Sequence, residues 1–237
     1  MALTRLTHKR SRHVTSVLAV LVLGLAACGD AGNTPALSVA RNLTSAILPG
    51  GEAETTTASE ARAMLTRDRI ERINRPLLLV EWPTVDGAEL FSLVGENGGV
   101  ETWRSPEDRG LALTSDGVLR STRGYGADLM ASEATALVAT WSGQRAGSYN
   151  RIMVHLDGEL REQSRSQSLH VCSVRATGRE TIDIYDIHYT VTRLVETCET
   201  PAGSYDNQYW VEANGTVRRS EQWVSPEVGH LLIERLN

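Results

Sequence analysis

The sequence predicts a mainly β protein: an antiparallel sandwich or open barrel preceded by one helix. Three observations carry this. Apolar runs of strand length recur from residue 77 to the C-terminus. Turn residues such as Asn97-Gly98-Gly99, Ser115-Asp116-Gly117, Asp157-Gly158 and Asn214-Gly215 punctuate them. No helical pattern alternates with these runs, which argues against a βαβ fold.

The first residues stand apart. Arg5, Lys9, Arg10 and Arg12 form a positive segment, Val17–Ala27 is an unbroken apolar run, and Leu25-Ala26-Ala27-Cys28 closes it. The run is too short to span a bilayer, which takes about 20 residues. It reads as a lipoprotein signal peptide, residues 1–27, cleaved before a lipidated Cys28. Gly29 after the cysteine leans towards outer-membrane sorting, with the chain on the periplasmic side. Several acyl chains anchor stably where one does not. Residues 28–57 are rich in Ala, Gly, Thr and Pro and read as a flexible tether. Residues 58–237 form the predicted periplasmic domain.

Within it, Thr57 and Glu60 make a capping-box pattern. Ala61, Met64, Leu65, Ile70 and Ile73 follow at near-helical spacing, so a single helix is predicted over 58–74, stopped by Pro76. Leu77–Trp82 is a continuous apolar strand. Residues 89–94 and 100–104 form a hairpin, as do 111–114 and 118–121. Residues 125–148 fit either a short helix or a loop and strand. Further strands are expected near 149–157, 166–175, 180–198, 207–213, 217–224 and 229–236, with a turn at Gly178. Trp103-Arg-Ser-Pro-Glu107 returns as Trp223-Val-Ser-Pro-Glu227, each after an Asn-Gly turn. Either two related β modules or shared turn vocabulary explains the echo.

Composition narrows the function. Without residues 1–27 the chain keeps 20 basic and 29 acidic residues, a formal charge of −9. Nucleic acid is therefore a poor partner. The single lysine, Lys9, lies in the signal, which removes Schiff-base and P-loop lysine chemistry from the mature chain. Cys172 and Cys198 are the even pair left in an exported protein and read as a disulfide. His155, His170, His188 and His230 lack zinc spacing, and no G-x-S-x-G elbow occurs. No metal, cofactor or catalytic residue is predicted. Carboxylates and aromatics keep a glycosidase, a lyase or a carbohydrate-binding module as alternatives. Trp103, Arg104, Tyr125, Trp210, Arg219 and Trp223 are the candidate contacts for polysaccharide or a protein partner. Core packing is the competing reading, favoured for Trp103 and Trp223.

Several segments carry a family likeness. Asn207-Gln208-Tyr209-Trp210-Val211, Gly215-Thr216-Val217-Arg218-Arg219-Ser220 and Gln222-Trp223-Val224-Ser225-Pro226 resemble the C-terminus of the YjbF/GfcB lipoproteins. Trp103-Arg104-Ser105-Pro106, Gly117–Gly124 and Asp128-Leu129-Met130 look like that family's middle section. Cys172, Cys198 and Cys28 match its two periplasmic cysteines and its lipidation site. The likeness covers about residues 75–237 and the lipobox. It implies a mostly β periplasmic lipoprotein in group 4 capsule or exopolysaccharide operons, partnered by other export proteins. It assigns no catalytic residue. The expected function is a non-enzymatic accessory role in capsule or exopolysaccharide production or export.

Overall fold

The computed structural model describes residues 57–133, 135–142, 147–157 and 164–237. The predicted signal peptide, Cys28 and the tether lie outside the described residues, save Thr57, which caps the first helix.

Thr57 and Glu60 cap α1 (Ala58–Met64) reciprocally, as the sequence predicts. The helix then stops short. Leu65 turns to extended backbone, and Thr66 accepts a hydrogen bond from the Arg69 amide to cap a second helix, α2 (Arg67–Ile73). The single helix expected over 58–74 is therefore two. Thr66 is the reason: a threonine favours a cap over a helix interior. The Arg67 guanidinium donates to the carbonyls of Tyr185, Ile184 and Leu236, at 2.8, 2.8 and 2.9 Å.

Twelve antiparallel strands follow in one sheet. They are β1 (Leu77–Trp82), β2 (Gly87–Asn97), β3 (Val100–Arg104), β4 (Gly110–Thr114), β5 (Leu119–Arg123) and β6 (Leu129–Ser132), then β7 (Tyr149–Asp157), β8 (Ser164–Ile184), β9 (Ile187–Thr200), β10 (Gly203–Glu212), β11 (Val217–Ser225) and β12 (Gly229–Arg235). The ambiguous stretch 125–148 supplies β6 and α3 (Thr135–Trp141). Spatial order runs β5-β4-β3-β2-β1-β12-β11-β10-β9-β8-β7-β6. The first and last strands pair, Leu78 opposite Arg235 and Val80 opposite Ile233. Every ladder neighbour apart from β1–β12 is thus also a chain neighbour, and the sheet curls into a nearly closed barrel.

The remaining seam lies between β5 and β6, where side chains stand in for a ladder. The buried Asp128 carboxylate accepts from Thr122 Oγ1 at 2.8 Å and from the Gly124 and Tyr125 amides at 2.9 and 3.2 Å. Thr122 Oγ1 in turn accepts from the Leu129 amide at 2.9 Å.

The C-terminal third departs from the sequence reading at Gly178. This residue is not a turn. It stands opposite Arg193 beside a register shift in an unbroken β8, with φ of 146°. The turn comes at Tyr185-Asp186, both in the left-handed region, as a two-residue hairpin loop of matching twist requires. The Trp103 and Trp223 echoes fall on corresponding hairpins, β3–β4 and β11–β12, of the same sheet.

Period-two alternation sorts the core. Leu78, Val80 and Trp82 of β1 join Phe91, Trp103, Leu111, Leu113, Leu129, Leu231 and Ile233 inside the barrel. Leu77 and Leu79 point to the opposite face, where Ala61, Leu65 and Ile70 of the helices cover them with Ile182 and Ile184 of the β8–β9 tip. That is why β1 is buried on both faces and reads as a continuous apolar run. A third cluster joins Leu137 of α3 to Tyr149, Leu194, Tyr209 and Val217. On the helix-covered face, Arg62 bridges Glu81 (2.5 Å) and Glu234 (2.8 Å), and Arg219 adds a second pair to Glu234 at 2.6 Å.

Candidate functional site at one end of the barrel

In an up-and-down meander the odd-to-even turns gather at one end. Here β1–β2, β3–β4, β5–β6 and β11–β12 meet, and Thr84 Oγ1 donates to the Val228 carbonyl at 2.8 Å across two of these turns. Beneath them lies a group of aromatic and charged side chains. Trp82 ends β1 with its indole over Gly87, its ladder partner. A Cβ at Gly87 would stand 2.6 Å from the indole, so only glycine leaves room. Tyr125 meets Trp82 edge-on, with ring centroids 5.7 Å apart at 90°. The Arg109 guanidinium carbon lies 4.9 Å from the Trp82 ring centre and 5.9 Å from that of Tyr125. Arg109 also pairs with Glu89. Its own backbone amide donates to the buried Ser105 Oγ at 3.2 Å. Burial lifts the Glu89 carboxyl above the usual range, against the pull of Ser105 and Arg109.

Nearby, the Tyr205 and Trp223 rings stack 4.5 Å apart, with His155 and His170 against them. Ser168 Oγ lies 2.7 Å from His170 Nε2, and Tyr205 Oη lies 2.7 Å from His170 Nδ1. A serine beside a histidine invites a nucleophile-and-base reading. Burial, then the charges of Arg151 and His155, push the imidazole down to about 4. A tyrosine rather than a carboxylate holds its second nitrogen. The imidazolium that a general base must become is disfavoured, so Ser168 gains little activation.

Deeper in the barrel, Arg151 and Glu196 form an ion pair at 2.8 Å with side chains 2% and 0% exposed. Glu196 also accepts from Tyr149 (2.8 Å), Asn207 (2.7 Å) and Tyr209 (3.0 Å), while Arg151 Nε donates to Ser132 Oγ at 2.9 Å. Burial alone would raise the Glu196 carboxyl. Arg151 and the three donors outweigh it and hold the group below its ordinary value. The disulfide Cys172–Cys198 lies close by, joining residues directly opposed in β8 and β9, S–S 2.03 Å. Cys172, Cys198 and Glu196 approach the spacing of a metal site. The cysteines are bonded to each other, and every oxygen of Glu196 already accepts hydrogen bonds, so this donor set does not suit a metal.

The candidate contacts taken from the sequence do not share a face. Trp103 is fully buried, its Nε1 donating to Glu101 at 3.1 Å and Arg235 lying 5.3 Å over its ring. Arg104 is half-buried and donates to the Asp108 carbonyl at 3.0 Å. Trp210 and Arg219 are ladder partners, 5.7 Å from ring centre to guanidinium, with Arg193 at 5.5 Å and Glu180 accepting the indole N–H at 2.8 Å. Tyr125 and Trp223 pack against the barrel-end core. Trp82, Glu89 and Arg109 were not read from the sequence as site residues. Their local signals are the Trp82-Pro83 strand end and Gly87, which is invisible as a partner until β1 and β2 pair.

A mainly β, barrel-like sheet with a buried polar interior is the class that these features define. The family model of the group 4 capsule polysaccharide lipoprotein gfcB, YjbF, matches residues 40–236, and the chain belongs to that family. Membership implies attachment to a membrane by lipid. Among the described residues no helix is long and apolar enough to cross a membrane. The fold is similar to that of the hypothetical lipoprotein YmcC from Escherichia coli K12. That match has a TM-score of 0.61 at 15% identity, covering 79% of this chain and 98% of that one. An exported Bacteroides fragilis protein described as having a YmcC-like fold aligns at 12% identity over 69% of this chain and 93% of its own, with a TM-score of 0.27. No curated protein matches the sequence.

Proposed function

We propose that the chain is an accessory lipoprotein of capsule polysaccharide production or export, held on the periplasmic side of the outer membrane by lipid on Cys28. It works beside other export proteins and catalyses no step. The family match over residues 40–236 carries this reading. Two features support the non-catalytic part. The interior ion pair is enclosed by its own hydrogen-bond partners, and the serine–histidine contact found among the described residues at the barrel end has a weak base. Deleting the gene is expected to reduce, shorten or mislocalise surface polysaccharide, with recovery on complementation. Polysaccharide unchanged in amount, length and location would overturn the proposal.

A further inference from the structure

Five large apolar side chains are exposed among the described residues, and three of them meet on one wall of the barrel. These are Ile152 of β7 and Leu169 and Val171 of β8, 43%, 52% and 46% exposed. Ile152 stands directly opposite Leu169 in the ladder, and Val171 follows two residues on along the same face. Val154 and Leu156, half-buried, extend the strip along β7. A sheet face open to water carries polar residues at such positions. Single exposed apolar residues need no cause, whereas a contiguous strip marks a contact surface. Charge frames this one. Arg165 precedes Leu169 by four residues and Arg175 follows Val171 by four, so both lie on the outward face of β8, and both are exposed. Neither pairs with a carboxylate among the described residues. Of the acidic neighbours, Glu133 is engaged by Arg120 at 3.7 Å, and Glu199 stands opposite Val171 on β9. The wall around Trp210 is the contrast, since Arg218 and Arg219 there are held by Glu212 and Glu234.

We infer that this wall lies against the phospholipid surface to which the chain is attached. Ile152, Leu169 and Val171 enter the acyl boundary while Arg165 and Arg175 meet lipid phosphates. An apolar strip with an arginine at each end fits the layer where acyl chains give way to headgroups. The attachment selects the bilayer as the occupant. Residues 29–56 link Cys28 to the cap of the first helix. Fully extended, that much chain spans at most about 100 Å. A domain of this size has a radius of gyration of about 16 Å. Every wall is therefore within reach of the bilayer. The tether also raises the effective concentration of lipid at the domain, which lets a strip too small to hold a vesicle alone make contact. This inference rests on the lipid at Cys28 and goes beyond it by assigning the face turned to the membrane.

The test uses the full mature chain, lipid included, reconstituted in vesicles of phosphatidylethanolamine and phosphatidylglycerol. A matched set of vesicles carries bromine on the acyl chains. Flotation reads attachment, and bromine quenching of an added tryptophan, measured as the difference from the parent, reads the face. The tryptophan of Leu169→Trp should be quenched at least twofold. That of Ala213→Trp, in the exposed β10–β11 turn at the other end of the barrel, should not be quenched. Adding Arg165→Glu and Arg175→Glu to Leu169→Trp should halve the quenching while flotation persists. Near-ultraviolet circular dichroism verifies that each variant folds. The inference is overturned if the protein floats and Leu169→Trp is quenched no more than Ala213→Trp; the lipid anchor then stands and another face meets the bilayer. It is also overturned if the Leu169→Trp emission moves to the blue with rising protein concentration in detergent and bromine has no effect in vesicles, since the strip then joins two copies of the chain. Failure to float overturns the attachment and the inference with it.

Discussion

Arg151 and Glu196 show how a charge is tolerated inside the barrel. Each has its counter-ion at 2.8 Å, and hydroxyl or amide partners occupy the remaining sites. Removing one member strands the other. Glu196→Ala should therefore cost about 3–5 kcal/mol, the usual result of orphaning a buried charge. Arg151→Met combined with Glu196→Gln should cost clearly less than the two single changes added, because neither charge is left alone. Urea unfolding of the parent, the three single variants and the double variant measures both. His170 gives a pH signature. Its imidazole titrates near 4 when folded, below its ordinary value of 6.5. The unfolded chain thus binds the extra proton first. Its contribution to stability is complete above pH 6.5 and falls as the pH drops towards 4. The melting temperature should decline across that window, and His170→Asn should flatten the decline. An identical slope in the variant would assign the effect to other groups.

Among the elements, the β8–β9 hairpin does most to organise the molecule. Its outer end packs Ile182 and Ile184 on the helices, while Cys172–Cys198 ties it across 26 residues. Replacing both cysteines by alanine should lower stability by about 3 kcal/mol in the chain-entropy account. Reduced protein with an unchanged unfolding midpoint would contradict this. The β4–β5 turn gives a backbone test. Gly117 has φ of 90°, and a Cβ there would lie 2.7 Å from Val217 Cβ at the start of β11. Gly117→Ala combines an unfavourable conformation with a clash, and should cost about 1–3 kcal/mol by denaturant unfolding.

At the scale of the molecule, the seam is the distinctive feature. The termini are joined by a ladder, Leu78 to Arg235, yet β5 and β6, consecutive in the chain, are bridged through Asp128 and Thr122. Asp128→Ala removes three hydrogen bonds at once. Amide exchange should then quicken in Leu119–Arg123 and Leu129–Ser132 while β1 and β12 keep their protection. Uniform quickening would mean that the seam is not a separate opening unit. Attachment is tested independently: Cys28→Ala should abolish incorporation of labelled palmitate.

Much of the fold was legible in the chain because it rests on local chemistry. Glycine turns, apolar runs and a capping box mark strand and helix boundaries without knowledge of neighbours, and so the antiparallel β class and the first helix were readable. The split at Thr66 and the turn at Tyr185-Asp186 were not. Each involves residues whose identity permits two local conformations, and long-range partners such as Ile184, Tyr185 and Leu236 around Arg67 accompany the one adopted. The candidate site was the least legible part. Aromatic content drew attention to Trp103, for which core packing was the favoured reading and which the sheet does bury, and away from Glu89 and Arg109, which are ordinary charged residues in sequence. Only the unbroken run of pairings from β1 to β5 brings Trp82, Glu89, Arg109 and Tyr125 to one end of the barrel. The sequence by itself determined the antiparallel β class, the cysteine pair and the family. The tertiary structure decided which polar atoms are buried and which apolar side chains are left exposed, since burial depends on contacts between segments far apart in the chain.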